Sequence, residues 1–304
     1  MELFEKYNLR ELNLELLARQ VVEGFIIGLH RSPFHGFSVE FAEHRLYNQG
    51  ESTKNIDWKV YARTNKLFSK KYEEETNLRC QIVLDDSSSM RLRADKDDRL
   101  SKLEFSALAA ASLMHLLQKQ RDAFGLTVFG EEIETHTKAK SSNQHLKLLT
   151  MYLQKMLRDT RARRQTNAAQ ALHKIADTIH KRSLVIIFSD MFDDPSRQAD
   201  LFSALQHLKY AKHEVILFHV VNKAKELDFN YENRPYEFED LETGERIKLQ
   251  PNQIKESYIR QVSAYTEELK LKCLQYKIDF VEADINRGFK DVLQAYLIKR
   301  KKMT

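Results

Sequence analysis

The sequence predicts an α/β fold, a doubly wound and mainly parallel sheet with helices on both faces. Three observations carry this expectation. The runs Gln81–Leu84, 183–190 and 213–221 are almost continuously apolar, the pattern of strands covered on both sides. Between them lie stretches with apolar residues at helical spacing, clearest over Leu100–Gln120. Strand and helix signals then alternate to the end of the chain, as a sheet built from crossover units requires. An N-terminal helix plus a small antiparallel, β-rich subdomain is expected over 1–76, the α/β domain over 77–304, and a β-hairpin insertion within it at about 226–250.

Taken in order, residues 9–27 place Leu9, Leu12, Leu14, Leu16, Leu17, Val21, Val22 and Phe25 along roughly one helical face, with Gly24 and Gly28 marking its end. Residues 33–75 change period. Phe37, Val39 and Phe41 alternate, as do Ile56, Trp58 and Val60, then Leu67, Ser69 and Lys71, which predicts three short antiparallel strands. Trp58, the sole tryptophan, reads as an anchor of that unit, with Asp57 and Arg63 paired to fix its strands. After the strand at 81–84, Ser101 and Glu104 form a capping box opening the helix to Gln120. A strand at 122–130, its hairpin partner at 131–137, and helices at about 142–158 and 167–181 follow. Beyond the strand at 183–190 come a helix over 195–210 and the strand at 213–221. Thr243-Gly244 sits between two alternating runs, a hairpin signal. A long helix at about 252–276, a strand Ile278–Ala283 and a helix to about Lys301 close the chain.

Composition narrows the function classes. With 42% apolar residues, eight Gly and four Pro in 304 residues, a large core is available and disorder is not expected. The net charge of +5 is scattered. Its two basic clusters, Arg161–Arg164 and Lys299–Lys302, read as solvated helix ends, so no nucleic-acid partner is expected. Cys80 and Cys273 lack metal-ligand spacing and suit a reducing compartment. With no basic-then-apolar leader and no run of about 18 apolar residues, a cytoplasmic protein without a membrane span is expected.

The chemistry concentrates where strands end. Asp85, Ser87 and Ser89, spaced D-x-S-x-S, follow the first buried strand. Oxygen side chains at alternate positions can converge on one hard cation. Taken alone, the same residues would be read as a polar turn with capping side chains. Thr166 precedes an Ala-rich helix, where it could be an N-cap, and Asp190 ends the central strand, where a carboxylate is costly to bury without a partner. Three oxygen-bearing loops at one end of the frame favour a metal site over three separate caps. Asp85, Ser87, Ser89, Thr166 and Asp190 together resemble the metal-ion-dependent adhesion site of von Willebrand factor A domains, a Rossmann-type fold. The resemblance implies Mg²⁺, with Mn²⁺ or Ca²⁺ as alternatives, touched directly by the Ser and Thr hydroxyls and through water by the Asp residues. Where glycines commonly precede the Thr, this chain has Arg164-Gln165.

Flanking residues also resemble a bacterial family known as domain of unknown function fifty-eight. Glu40-Phe41, Arg45, Tyr47, Gly50, Ile56-Asp57-Trp58, Ala62-Arg63-Thr64 and Tyr72-Glu73-Glu74 carry it, with FEDLETGE (238–245) and YLIKR (296–300) further on. Members are often encoded beside MoxR-type AAA+ ATPases, which implies such an ATPase as partner in a chaperone-like or assembly task. The first functional expectation is a non-enzymatic binding module whose metal captures an acidic residue of a partner protein. The alternative is a Mg²⁺-dependent hydrolase with Asp85, Asp86 or Asp190 as general base. The histidines lack ligand spacing and are read as surface or satisfied groups, and there is no G-x-S-x-G elbow or P-loop. A structural protein with a vestigial site is the third reading.

Overall fold

The computed structural model describes residues 13–30, 44–46, 58–70, 78–91, 93, 100–159, 167–192, 197–239 and 246–303. Helix α1 (Leu14–His30) comes first, then strand β1 (His44–Leu46), helix α2 (Trp58–Thr64) and strand β2 (Phe68–Lys70). The central part runs β3 (Arg79–Asp85), the short α3 (Ser88–Arg91), α4 (Lys102–Lys119), β4 (Ala123–Phe129), β5 (Ile133–His136), α5 (Asn143–Arg158) and α6 (Ala168–Thr178). It continues through β6 (Leu184–Ser189), α7 (Gln198–Tyr210) and β7 (Glu214–Val221) to a π-helical turn, Lys223–Leu227. The strands β8 (Tyr236–Glu239) and β9 (Arg246–Leu249), helix α8 (Pro251–Gln275), strand β10 (Asp279–Asp284) and helix α9 (Lys290–Met303) complete it.

Six strands form one sheet in the order β10-β7-β6-β3-β4-β5. All neighbours are parallel except β5, which turns back antiparallel on β4. The expected doubly wound, mainly parallel sheet is therefore present. Alternate side chains of each strand feed two separate cores, as the period of two demands. One face presents Ile82, Leu84, Leu126, Ile186 and Ile216 to α1, α4, α5 and α9. The other presents Val83, Val185, Ile187, Val215 and Leu217 to α6, α7 and α8. Because β3 and β6 are central neighbours, their carboxyl ends lie side by side, with Leu84 opposite Phe188. That adjacency brings Asp85 and Asp190 into one place.

The elements reproduce most of the expected order, including the capping box of α4, where Ser101 and Glu104 bond reciprocally to each other's backbone N–H. Three details differ. The first helix passes both Gly24 and Gly28, expected to mark its end near 27, and runs on to His30. Its Leu14, Leu17, Ala18 and Val22 are buried in the same core as α4, so α1 is continuous in packing with the α/β part. Trp58 opens a helix rather than sitting in a strand, and it is exposed. A three-position alternation is too short to separate a strand from one helical turn, and the described tryptophan is no buried anchor. β2 falls on the expected strand at 67–71, but its antiparallel partner is β1, His44 opposite Lys70, which lies outside the expected strands. The expected strand at 37–41 and the Asp57 side of the Asp57–Arg63 pair lie outside the described residues. The insertion forms an antiparallel pair, Tyr236 opposite Leu249, as expected. Among the described residues no helix is long and apolar enough to cross a membrane.

Candidate functional site

Asp85 is the last residue of β3 and is enclosed. Its Oδ1 accepts the Ser87 backbone N–H at 2.9 Å, and its Oδ2 accepts the Ser189 hydroxyl at 2.6 Å. These bonds fold the chain tightly after the strand and set the Ser87 and Ser89 hydroxyls 3.0 Å apart. Asp190 follows β6, also fully buried. Its Oδ1 accepts the Phe192 N–H at 3.2 Å, and its carboxylate is hydrogen-bonded by Ser89. Between the two acids, Met191 N–H donates to Ser189 Oγ at 2.8 Å, and Met191 itself takes the left-handed backbone (φ 51°). A buried non-glycine residue held there marks a turn whose shape is fixed by its surroundings.

Four of the five expected ligands, Asp85, Ser87, Ser89 and Asp190, thus come together. Thr166 lies outside the described residues. Its neighbour Asn167, not Thr166, is the N-cap of α6, its side chain accepting the Gln170 N–H. Asn167 N–H donates to the Gly130 carbonyl at 3.2 Å, just past β4, the strand beside β3.

Asp86 behaves differently from its neighbour. It is fully buried and held in a two-point ion pair with Arg91, Oδ1 to Nε at 2.6 Å and Oδ2 to Nη2 at 2.7 Å. Arg91 also donates to the carbonyls of Met156, at 3.3 Å, and of Asp159. The pair ties the D-x-S-x-S turn to the end of α5. Asp86 was one of the acids considered as a general base; its oxygens here are occupied by a guanidinium.

The electrostatics reveal two residues that the sequence did not flag. Lys102, the first residue of α4, buries its ammonium between Asp190 Oδ2, at 2.7 Å, and Glu226 Oε1, at 2.6 Å. Glu226 lies on the π-helical turn after β7, and its other oxygen accepts the Asn222 N–H at 2.8 Å. Burial raises the Asp85 carboxyl to about 7, aided by the Asp190 charge and opposed by its bonds to Ser189 and Ser87. Burial acts to raise Asp190 too, but the Lys102 ammonium outweighs it and holds Asp190 below the ordinary carboxylate range. Lys102 is raised overall, since the attraction of the two carboxylates exceeds the effect of burial. His219 packs near Asp190, and burial drives its pKa down to about 4, leaving it neutral. It was read from sequence as a surface or satisfied group; it is buried on β7.

The donor chemistry fits a hard divalent cation. Two hydroxyls lie in contact, and of two enclosed carboxylates one is raised, by burial first and by the other's charge second, both of which a cation would offset. No group of three or more His, Cys, Asp or Glu side chains suited to a metal occurs among the described residues, so any ion here would depend on the serines.

The fold and site together define an α/β protein with a cluster of buried oxygen side chains beyond the carboxyl ends of its two central strands, where open parallel sheets place their ligands. More specifically, the chain belongs to the family described as protein of unknown function DUF58, whose model matches residues 43–268. It is similar to uncharacterized protein Rv1480 of Mycobacterium tuberculosis and uncharacterized protein Mb1516 of Mycobacterium bovis, at 24% identity over 209 residues. The match spans 69% of this chain and 63% of each relative, so it leaves more than a third of those proteins unmatched. Among solved structures, the chain is similar to the conserved hypothetical protein BatB from Bacteroides thetaiotaomicron, with TM-score 0.44, 13% identity, and coverage of 75% of this chain and 100% of that one. It is also similar to the SpRpn10 VWA domain, with TM-score 0.32, 15% identity, and coverage of 48% and 76%. These likenesses are loose, and the fold rests on the strand order and register given above.

Proposed function

We propose that this chain is a non-enzymatic protein-interaction module whose strand-end oxygen cluster takes up a divalent cation, Mg²⁺ or alternatively Mn²⁺ or Ca²⁺. Asp85, Ser87, Ser89, Thr166 and Asp190 would hold it. The observation that carries the reading is the convergence of the two seryl hydroxyls with Asp85 and Asp190 at adjacent strand ends. When bound, the cation supplies a Lewis-acidic position able to accept a carboxylate from a partner. The chain's own residues do the rest. Asp85 is oriented by Ser189 and Ser87, Asp190 by Phe192 N–H, and the turn as a whole by the Asp86–Arg91 pair. The family resemblance supports a MoxR-type AAA+ ATPase as the working partner in the cytoplasm.

The reading is tested by thermal unfolding of the wild type and Asp190→Ala during Mg²⁺ and Mn²⁺ titration. A ligand bound by the folded state alone adds about 2.7 kcal/mol at a hundredfold excess over its Kd. A saturable stabilisation in the wild type that the variant loses is expected; equal responses in both would reject a site built on Asp190.

A further inference from the structure

We propose that Lys102 is a built-in counter-ion that competes with a divalent cation for Asp190, with Glu226 as the alternative seat for its ammonium. The proposal rests on the cation-binding reading above. It assigns the affinity of that cluster to a charge exchange involving two residues outside the expected ligand set.

The placement of Lys102 is unusual for a residue serving stability alone. It occupies the first position of α4, directly after the N-cap Ser101. The amino end of a helix carries partial positive charge and disfavours a cation. Its side chain is only 5% exposed, so the ammonium has left water as well. Both penalties are offset by two carboxylates on different elements, one after β6 and one after β7. Glu226 is independently fixed through Asn222 N–H and does not depend on Lys102 for its position.

Lysine carries a point charge on a flexible four-carbon stem, with three donors that can be redistributed. With Asp190 and Glu226 both within bonding distance, the ammonium can give up the first without losing the second. A divalent ion on Asp190 and an ammonium on the same carboxylate repel one another at these separations, in a setting where water screens little. Coupling of this sort is reciprocal. Lys102 weakens the cation's hold, and the cation drives Lys102 toward Glu226.

The test measures Mn²⁺ affinity of the full chain by titration calorimetry and by the free-ion electron paramagnetic resonance signal. Lys102→Met should tighten binding by about tenfold or more, since it removes the competitor and leaves both acids in place. Glu226→Gln should weaken binding, because the ammonium then has Asp190 as its only carboxylate at this position. Lys223→Met, which removes a charge paired with Glu282 on the same turn, should change affinity less than about twofold. The Lys102→Met gain should vanish when Asp190→Ala is added.

Wild type and Lys102→Met binding Mn²⁺ equally would overturn the proposal and leave the cation-binding reading standing. Failure of both to bind at millimolar Mn²⁺ would overturn the two together. A Lys223→Met effect as large as that of Lys102→Met would reduce the effect to general charge and also overturn it. If Lys102→Met does not fold, Glu226→Gln decides, and unchanged affinity there counts against the exchange.

Discussion

Replacing Asp86 with alanine should destabilise the protein by about 3 kcal/mol, the lower end of the range for breaking a buried ion pair. The figure follows from what each partner keeps. Arg91 loses two charge-assisted bonds of 2.6 and 2.7 Å, yet its side chain is 16% exposed and it still donates to the carbonyls of Met156 and Asp159. Some of the stranded charge therefore reaches water. The reverse change, Arg91→Ala, leaves a carboxylate that is only 1% exposed without its guanidinium, and should cost more, about 4–5 kcal/mol. Urea unfolding of the two single variants and the double variant closes a mutant cycle, and the double should cost well under the sum. The same variants should lose Mn²⁺-induced stabilisation, because the pair fixes the turn that carries Ser87 and Ser89. Additive costs, or an Asp86→Ala cost below about 1 kcal/mol, would refute the view that this pair holds the turn against α5.

Other expectations follow from single contacts. Gly125→Ala on β4 would set a methyl group 2.6 Å from the Thr137 carbonyl and 2.5 Å from Gln81 Oε1. Since the backbone cannot yield as the Gln side chain can, a loss of about 1–3 kcal/mol in denaturant unfolding is expected. Lys212, exposed after the end of α7, holds φ at 65°, and Lys212→Gly should raise stability by up to about 1 kcal/mol, read as a higher denaturation midpoint at unchanged slope. His145 and His213 are buried, and burial lowers the pKa of each below the ordinary histidine value. At these two histidines the unfolded chain then binds more protons than the folded one below about pH 6.5, so their contribution to stability is full above that pH and falls as pH drops toward the folded pKa values. The raised Asp85 carboxyl acts in the opposite sense over the same range, so the histidine contribution is read as the difference between wild type and His213→Gln: on going from pH 7.5 to 5.5 the variant should lose less stability, or gain more, than the wild type.

Much of the fold was legible because the strands announce themselves. Continuous apolar runs such as Ile82–Leu84 and Leu184–Phe188 arise where both faces of a sheet are covered, and here both faces are. Part of the site was legible for a related reason. Asp85 and Asp190 are carboxylates at the ends of such runs, where burial demands a purpose. Lys102 and Glu226 gave no comparable signal. They are 124 positions apart, and nothing in local spacing says that the start of α4 and the turn after β7 meet over β6. The nearest hint was a lysine immediately inside a helix start, against the helix dipole. Asp85 alone fits the D-x-S-x-S spacing, but nothing in sequence says that Asp86 is tied to Arg91; one bonds Ser189 and the other Arg91, because successive side chains leave the chain in different directions. Trp58 was misassigned for want of length, three alternating positions being compatible with either period.

The docking of α1 has a consequence for how the molecule responds to cutting. Leu14, Leu17 and Val22 lie in the core with α4, and α1 is joined in sequence to β3, another element of that core, through residues 31–78. Each buried aliphatic side chain contributes about 1.5–3 kcal/mol. Three of them roughly match the cost of about 4–15 kcal/mol for bringing two separate molecules together. The covalent link thus supplies a local concentration that the helix surface alone would not. A single proteolytic nick between residues 31 and 77 would turn an intramolecular contact into a bimolecular one. The nicked protein would hold its first helix at high protein concentration and shed it on dilution, exposing an apolar strip on α4 that the intact chain keeps covered.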